Sequence, residues 1–236
     1  MHISLRPVAA LLFTASLAVP AVGVPITIDN FEEGNFTVVD TSVPATPTQA
    51  EQSGLLATNV VGGVRIVRAT ASGSGGIGTA ALLTTLLGDD GAVLTTAGTP
   101  GAMTDFQFIY DGIANGLNDG NAGTLGLDFS NTNAINLEIS SPGALLASMR
   151  VQLWDGVTTR TSSFQAIGVG TNSLALDGTI LQLNMADIRA IMVTVADINP
   201  GDAPTLLNIS AVPEPGTAFL MALGLVGLAI QRTRSR

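Results

Sequence analysis

The chain predicts an all-β fold, an antiparallel β-sandwich or jelly roll, and three observations carry that expectation. Apolar and polar residues alternate at period two through most of the interior, and no long stretch holds a 3.6-residue apolar period. Asp-Gly pairs recur at Asp90-Gly91, Asp111-Gly112, Asp119-Gly120, Asp155-Gly156 and Asp177-Gly178, where Asp tolerates and Gly supplies the positive φ that tight turns need. The alternating runs are many and short, as in sandwiches and jelly rolls.

Taken in order, early strands are expected at 26–31 and 36–41, with a loop at 44–52. A strand at 64–71 leads into a Ser/Gly-rich loop at 71–78, and further strands follow at 81–87 and 92–97. Phe106, Phe108 and Tyr110 share one face of the next strand. Leu125, Leu127 and Phe129 form another, then Ile135, Leu137 and Ile139, then Met149, Val151 and Leu153. Strands at 164–169, 174–176 and 180–185 precede a single helical turn at 186–189. Ile191, Val193 and Val195 then mark a strand, and 205–211 the last one.

Both termini read as addressing segments. Residues 1–23 have Arg6 in a short basic region, an apolar stretch from 8 to 19 and an A-x-A-like Ala21-Val22-Gly23, the layout of a secretory signal helix removed after export. Residues 212–236 open with Pro213-Glu214-Pro215, continue through an uncharged apolar run at 217–230 and end with Arg232, Arg234 and Arg236. Fourteen residues give about 21 Å of helix, short of the roughly 30 Å hydrocarbon core, so the span depends on snorkelling arginines and local thinning. The positive-inside rule puts its carboxyl end in the cytoplasm. Pro213 and Pro215 keep the helix from extending upstream and leave an extended, exposed Val-Pro-Glu-Pro stretch. The expected organisation is a signal peptide at 1–23, an exported sandwich at 24–211 and a sorting and anchoring segment at 212–236.

Composition excludes much chemistry. The chain has no cysteine and no lysine, and its one histidine, His2, lies in the signal segment. A Ser-His-Asp triad, a Cys nucleophile, His or Cys zinc ligation, a Schiff-base lysine and a P-loop lysine are all ruled out of the exported domain. Residues 24–211 hold 17 acids against Arg65, Arg68, Arg150, Arg160 and Arg189, a balance of −12 that repels nucleic acid. Stability must come from packing or bound ions, because disulfides are impossible.

Two candidate sites remain. On the strand bearing Met149, Val151 and Leu153, alternation puts Trp154 with Arg150 and Gln152 on the opposite, wetter face. An indole beside a guanidinium and an amide suits stacking on a sugar ring with partners for its hydroxyls. Asp111, Asn118, Asp119 and Asn121 make an oxygen-rich loop of the kind hard cations use, without EF-hand spacing, and form a candidate calcium site. Asp29, Glu32 and Glu33 are a second candidate calcium cluster. No other cofactor is expected.

Through Pro213-Glu214-Pro215, the apolar run and the terminal arginines, the tail resembles the PEP-CTERM family of bacterial sorting signals. The same kind of segment is also described as an ice-binding protein C-terminal domain, although nothing in these residues is an ice-binding surface. The resemblance implies export, recognition by a membrane exosortase and cleavage near the signature. It also implies inner-membrane anchoring, then delivery to the surface or extracellular polysaccharide matrix of a Gram-negative bacterium. Ile28-Asp29-Asn30-Phe31-Glu32-Glu33-Gly34, Val61-Gly62-Gly63-Val64-Arg65 and Leu153-Trp154-Asp155-Gly156 resemble jelly-roll ectodomains found ahead of such tails. The expected function is a non-catalytic adhesive, structural or carbohydrate-contacting role. The alternative is an exported glycoside hydrolase working through two carboxylates.

Overall fold

A computed structural model describes residues 24–41, 47–72, 77–82, 91–114, 123–141 and 145–213, with side chains for all of these except 77–82. The signal segment and the tail from 214 onward lie outside the described residues. Among the described residues no helix is long and apolar enough to cross a membrane.

The strands are β1 (Ile26–Asp29), β2 (Phe36–Asp40), β3 (Thr48–Ser53), β4 (Val64–Ser72), β5 (Ile77–Leu82), β6 (Ala92–Ala97) and β7 (Met103–Tyr110). They continue as β8 (Thr132–Ser140), β9 (Ala147–Trp154), β10 (Thr159–Thr161), β11 (Gln165–Ile167), β12 (Gly170–Ala175), β13 (Ala190–Ile198) and β14 (Thr205–Pro213). The first sheet runs β12-β8-β14-β6-β5-β2, with β1 beside β14; the second runs β10-β9-β13-β7-β4-β3, with β11 beside β9. All these strand pairs are antiparallel. The chain is therefore an antiparallel β-sandwich, as its alternation predicts.

The inner faces supply the core. Ile135, Leu137 and Ile139 of β8 and Leu206, Ile209 and Ala211 of β14 meet Met149, Val151 and Leu153 of β9, Ile191, Val193 and Val195 of β13 and the β7 aromatics. Apolar side chains buried at period two pin each register, because a one-residue slip would turn the whole set to solvent.

Several elements differ from expectation. β3 occupies 48–53, expected as loop; its residues are polar but pair with β4 along its full length. β5 lies at 77–82, upstream of the expected 81–87, and residues 83–90 are outside the described set. Residues 125–129 are an irregular segment tied to 185–189, with only a bridge between Leu127 and Ile188. Residues 180–182 form a 3-10 turn, because the Asp177 carboxylate caps the N–H groups of Thr179 and Ile180. The helical turn expected at 186–189 is absent: Ile188 exchanges backbone hydrogen bonds with Leu127 instead.

A charged cluster lies inside the sandwich. Arg65 shares its strand parity with Val67 and Ala69 and so points inward; it is fully buried, as are Asp29 and Tyr110. Its Nε donates to Asp29 Oδ2 at 2.5 Å and its Nη2 to Asp29 Oδ1 at 2.5 Å, while Nη1 reaches the Glu33 carbonyl and Gln52 Oε1. The Tyr110 hydroxyl (2.8 Å) and the Phe31 N–H (2.8 Å) complete the Asp29 shell. The guanidinium lies over Phe31 and Phe36, 5.1 and 5.6 Å from the ring centroids. Burial pushes the Asp29 carboxyl up from its ordinary value against the pull of Arg65, and pushes the Tyr110 phenol well above its own. Gly62 and Gly63 adopt φ of 73° and 67° in the turn before Arg65, and a Cβ on Gly62 would meet Leu125 Cδ2 at 2.3 Å.

Removing one partner strands a buried charge, so Asp29→Ala is expected to cost about 3–5 kcal/mol in urea unfolding. Tyr110→Phe, which removes one hydrogen bond to the carboxylate, is expected to cost about 1.5–3 kcal/mol in the same assay.

Candidate functional site

The outer face of the second sheet carries the candidate residues. Along β9, Met149, Val151 and Leu153 are buried, while Ser148, Arg150, Gln152 and Trp154 stand on the other side, partly exposed. The expected grouping of Trp154, Arg150 and Gln152 on one face is therefore present, although Trp154 is partly covered rather than freely exposed. β10 lies against it, Thr159 opposite Trp154 and Thr161 opposite Gln152. The Thr161 hydroxyl donates to Gln152 Oε1 at 3.2 Å.

Register extends this group into a line that crosses the sheet. Gln49 of β3 is opposite Arg68 of β4, Arg68 opposite Gln107 of β7, Gln107 opposite Thr194 of β13, and Thr194 opposite Arg150 of β9. Two arginines, two amides and a hydroxyl thus form one polar row. Arg68 donates from Nη1 to Gln107 Oε1 and from Nη2 to Gln49 Oε1, each at 3.3 Å, which leaves both amide nitrogens as donors. Thr194 Oγ1 and Arg150 Nε are buried atoms with no hydrogen-bond partner. The Arg150 guanidinium stacks over the Phe164 ring at 4.6 Å. Beside the row, Val64, Ile66, Ile109 and Met192 form a second buried apolar cluster that stiffens the floor of this face.

Position along the strands separates the chemistry. Asp105 of β7 lies toward the Ser148 end of the face. Burial raises its carboxyl and the Asp197 charge adds to that, while the Asp197 N–H and Arg150 pull the other way. Trp154 is six residues from Ser148 on β9, about 20 Å away at strand rise. At the Trp154 end, Asp155 accepts the N–H groups of Val157 and Thr158 through Oδ1 and of Asn184 through Oδ2, pinning the turn to the 184–189 segment. Desolvation raises this carboxyl, but backbone donors, those of Asn184, Thr158 and Val157 foremost, outweigh it and hold it below its ordinary range.

The described residues of the two candidate calcium clusters make local hydrogen bonds. Asp111 is fully buried and its Oδ1 accepts the Ile113 N–H, an Asx turn that uses the carboxylate locally. Asn118, Asp119 and Asn121 lie outside the described residues. Asp29 is engaged by Arg65 and Tyr110, Glu33 Oε2 accepts from Leu56 N–H and Asn59, and Glu32 accepts from Asn30. No group of acids among the described residues is arranged to hold a metal ion.

Strand parity made Trp154, Arg150 and Gln152 visible in the sequence. Gln49, Arg68, Gln107 and Thr194 were missed because alternation gives the face of a residue and not its neighbour across the sheet. Alternation places Phe164 in a strand and marks no site there.

The tail begins inside the fold. Val212 and Pro213 close β14, opposite Ala134 and Thr132, and both are partly buried rather than fully exposed. The register breaks between them, where the proline ring offers no N–H to the ladder. Residues 211–234 match the PEP-CTERM protein-sorting motif. The PEP-CTERM match covers Pro213, Glu214, Pro215, Arg232 and Arg234 and stops short of Arg236; a protein carrying it is an exported one, sorted through the membrane to the cell surface. No curated protein matches the chain. Among solved structures, the family 11 carbohydrate-binding module of the cellulosomal cellulase Lic26A-Cel5E of Clostridium thermocellum is 14% identical, with a TM-score of 0.40 over 82% of this chain and 96% of that one. The solution structure of CtCBM11 is 15% identical, with a TM-score of 0.39 over 84% and 99%. At such scores nothing about a ligand transfers.

Because the folded-state Asp155 carboxyl is depressed, its contribution is present above the unfolded value near 3.9 and is lost as pH falls through the folded value. Asp155→Asn should therefore lower the urea midpoint at pH 7 and flatten its fall below about pH 4.

Proposed function

We propose that this PEP-CTERM protein is an exosortase substrate of a Gram-negative bacterium whose exported sandwich contacts extracellular polysaccharide without catalysing a reaction. Export leaves the body outside and the apolar run at 217–230 in the inner membrane, with Arg232, Arg234 and Arg236 on the cytoplasmic side, until the tail is cut. The observation that carries the polysaccharide reading is the polar row from Gln49 to Arg150, with Trp154 on the same face four residues, about 13 Å, further along β9. Guanidinium and amide groups serve the hydroxyls of a sugar above the buried Thr194, and the indole offers a flat apolar face to a ring. The outer face of the first sheet offers Asn136, Glu138, Asn208 and Ser210 but neither an aromatic nor a cation on those strands.

A binder is favoured over a hydrolase by how the acids are used. Asp29, Asp40 and Asp111, the fully buried carboxylates among the described residues, all accept hydrogen bonds inside the fold. Asp105 and Asp197 approach each other near the Arg150 end of the row, where one oxygen of Asp105 accepts the Asp197 N–H and one of Asp197 accepts the Ser148 hydroxyl, about 20 Å from Trp154.

Affinity electrophoresis of the full chain in detergent micelles, through gels containing galactomannan, β-glucan or alginate, tests the binding reading. Trp154→Ala and Arg150→Ala are each expected to weaken retardation roughly tenfold, the size of one lost charged hydrogen bond or aromatic contact; unchanged mobility in every gel would reject this face. Sorting is tested by fractionating cells that express Glu214→Ala or a chain lacking 217–236. Release of the truncated protein into the medium is expected, and continued retention on the cell would show that the tail is not the tether.

A further inference from the structure

The open side of the sandwich, between β11 and β12, holds a groove of about 310 Å3 lined by Ser162, Ser163, Phe164, Gln165, Leu174 and Asp177, among others. That volume lies at the lower end of the roughly 300–1,000 Å3 typical of small-molecule clefts. Phe164 is 49% exposed, uncommon for a large aromatic side chain, with the Arg150 guanidinium over its ring. Arg150 also ends the polar row, so row and groove meet at Phe164, which the Arg150 guanidinium covers and which lines the groove.

We infer that this groove is a second glycan subsite, which seats one pyranose unit of a neutral polysaccharide whose chain continues along the polar row. The inference rests on the polysaccharide reading above and names its sugar class. The apolar C–H face of the ring stacks on Phe164, and its hydroxyls meet the Ser163 hydroxyl and the Asp177 carboxylate. That carboxylate sits at the rim of a domain already carrying a large negative balance, which disfavours a uronate and selects an uncharged sugar.

A partner β-strand fits less well than a sugar. Strand addition needs open backbone groups along an edge. Here the Gln165 side chain donates to the Ser173 carbonyl at 3.1 Å, and Asn172 donates to the carbonyls of Gly168 and Gly170 at 2.7 and 3.1 Å. Three acceptors along this edge are already occupied.

The test uses the full chain in detergent micelles and affinity electrophoresis in galactomannan, a neutral polymer, and alginate, a uronate polymer. Phe164→Ala removes the platform and Ser163→Trp fills the groove; both positions are exposed, and an unchanged urea midpoint confirms folding. Each variant is expected to raise the apparent Kd for galactomannan about tenfold, Phe164→Tyr is expected to bind like the parent, and alginate is expected to retard none of them. If both variants run like the parent while Trp154→Ala loses retardation, the groove is overturned and the polysaccharide reading stands. Retardation in alginate that depends on Phe164 overturns the neutral class. A parent chain that galactomannan does not retard overturns the groove proposal, and one that none of galactomannan, β-glucan and alginate retards overturns the polysaccharide reading as well.

Discussion

The sandwich is organised around one buried ion pair. Asp29 belongs to the first sheet and Arg65 to the second, so their bidentate contact, with Tyr110 as a third member, clamps the layers together from inside. Two charges away from water are tolerated only when their hydrogen-bonding capacity is met, and here four donors surround the carboxylate. The local backbone is shaped to meet that demand. Phe31 takes a left-handed φ of 54° so that its N–H reaches Asp29 and its ring packs edge-on to Phe108, 5.6 Å away. Gly62 and Gly63 make the turn that delivers Arg65 into the core.

This junction joins the segments 28–34 and 61–65. Read singly, each looks like turn residues around an acid or an arginine. In the fold they are two halves of one contact, 36 residues apart in sequence. Asp29 therefore serves the interior, and its acidic neighbours Glu32 and Glu33 fasten the surrounding loops.

Period-two alternation revealed most strands and correctly sorted β9 into a core side and a wet side, because burial acts on every second residue whatever the partner strand. It failed where tertiary pairing or local capping decides. β3 has no apolar pattern and exists because β4 offers it a ladder; 180–185 alternates like a strand but is bent by the Asp177 cap. Asp-Gly signals worked at Gly112 and Gly156, both at positive φ, whereas Gly178 needs none because the Asp177 side chain makes the turn. The polar row was beyond reach for a different reason. Gln49, Arg68, Gln107, Thr194 and Arg150 are scattered over 146 positions, and only the register of five strands aligns them.

A rigid inner clamp thus supports an outer face where polar groups retain bonding capacity, on a body whose last strand runs straight into its sorting motif. The most direct measurement is an NMR titration of the isotope-labelled chain with galactomannan oligosaccharides. Shifts gathered on the amides of Arg68, Gln107, Arg150, Trp154 and Phe164 are what this account predicts. Shifts gathered instead on Asn136, Glu138 and Asn208 of the opposite sheet would contradict it.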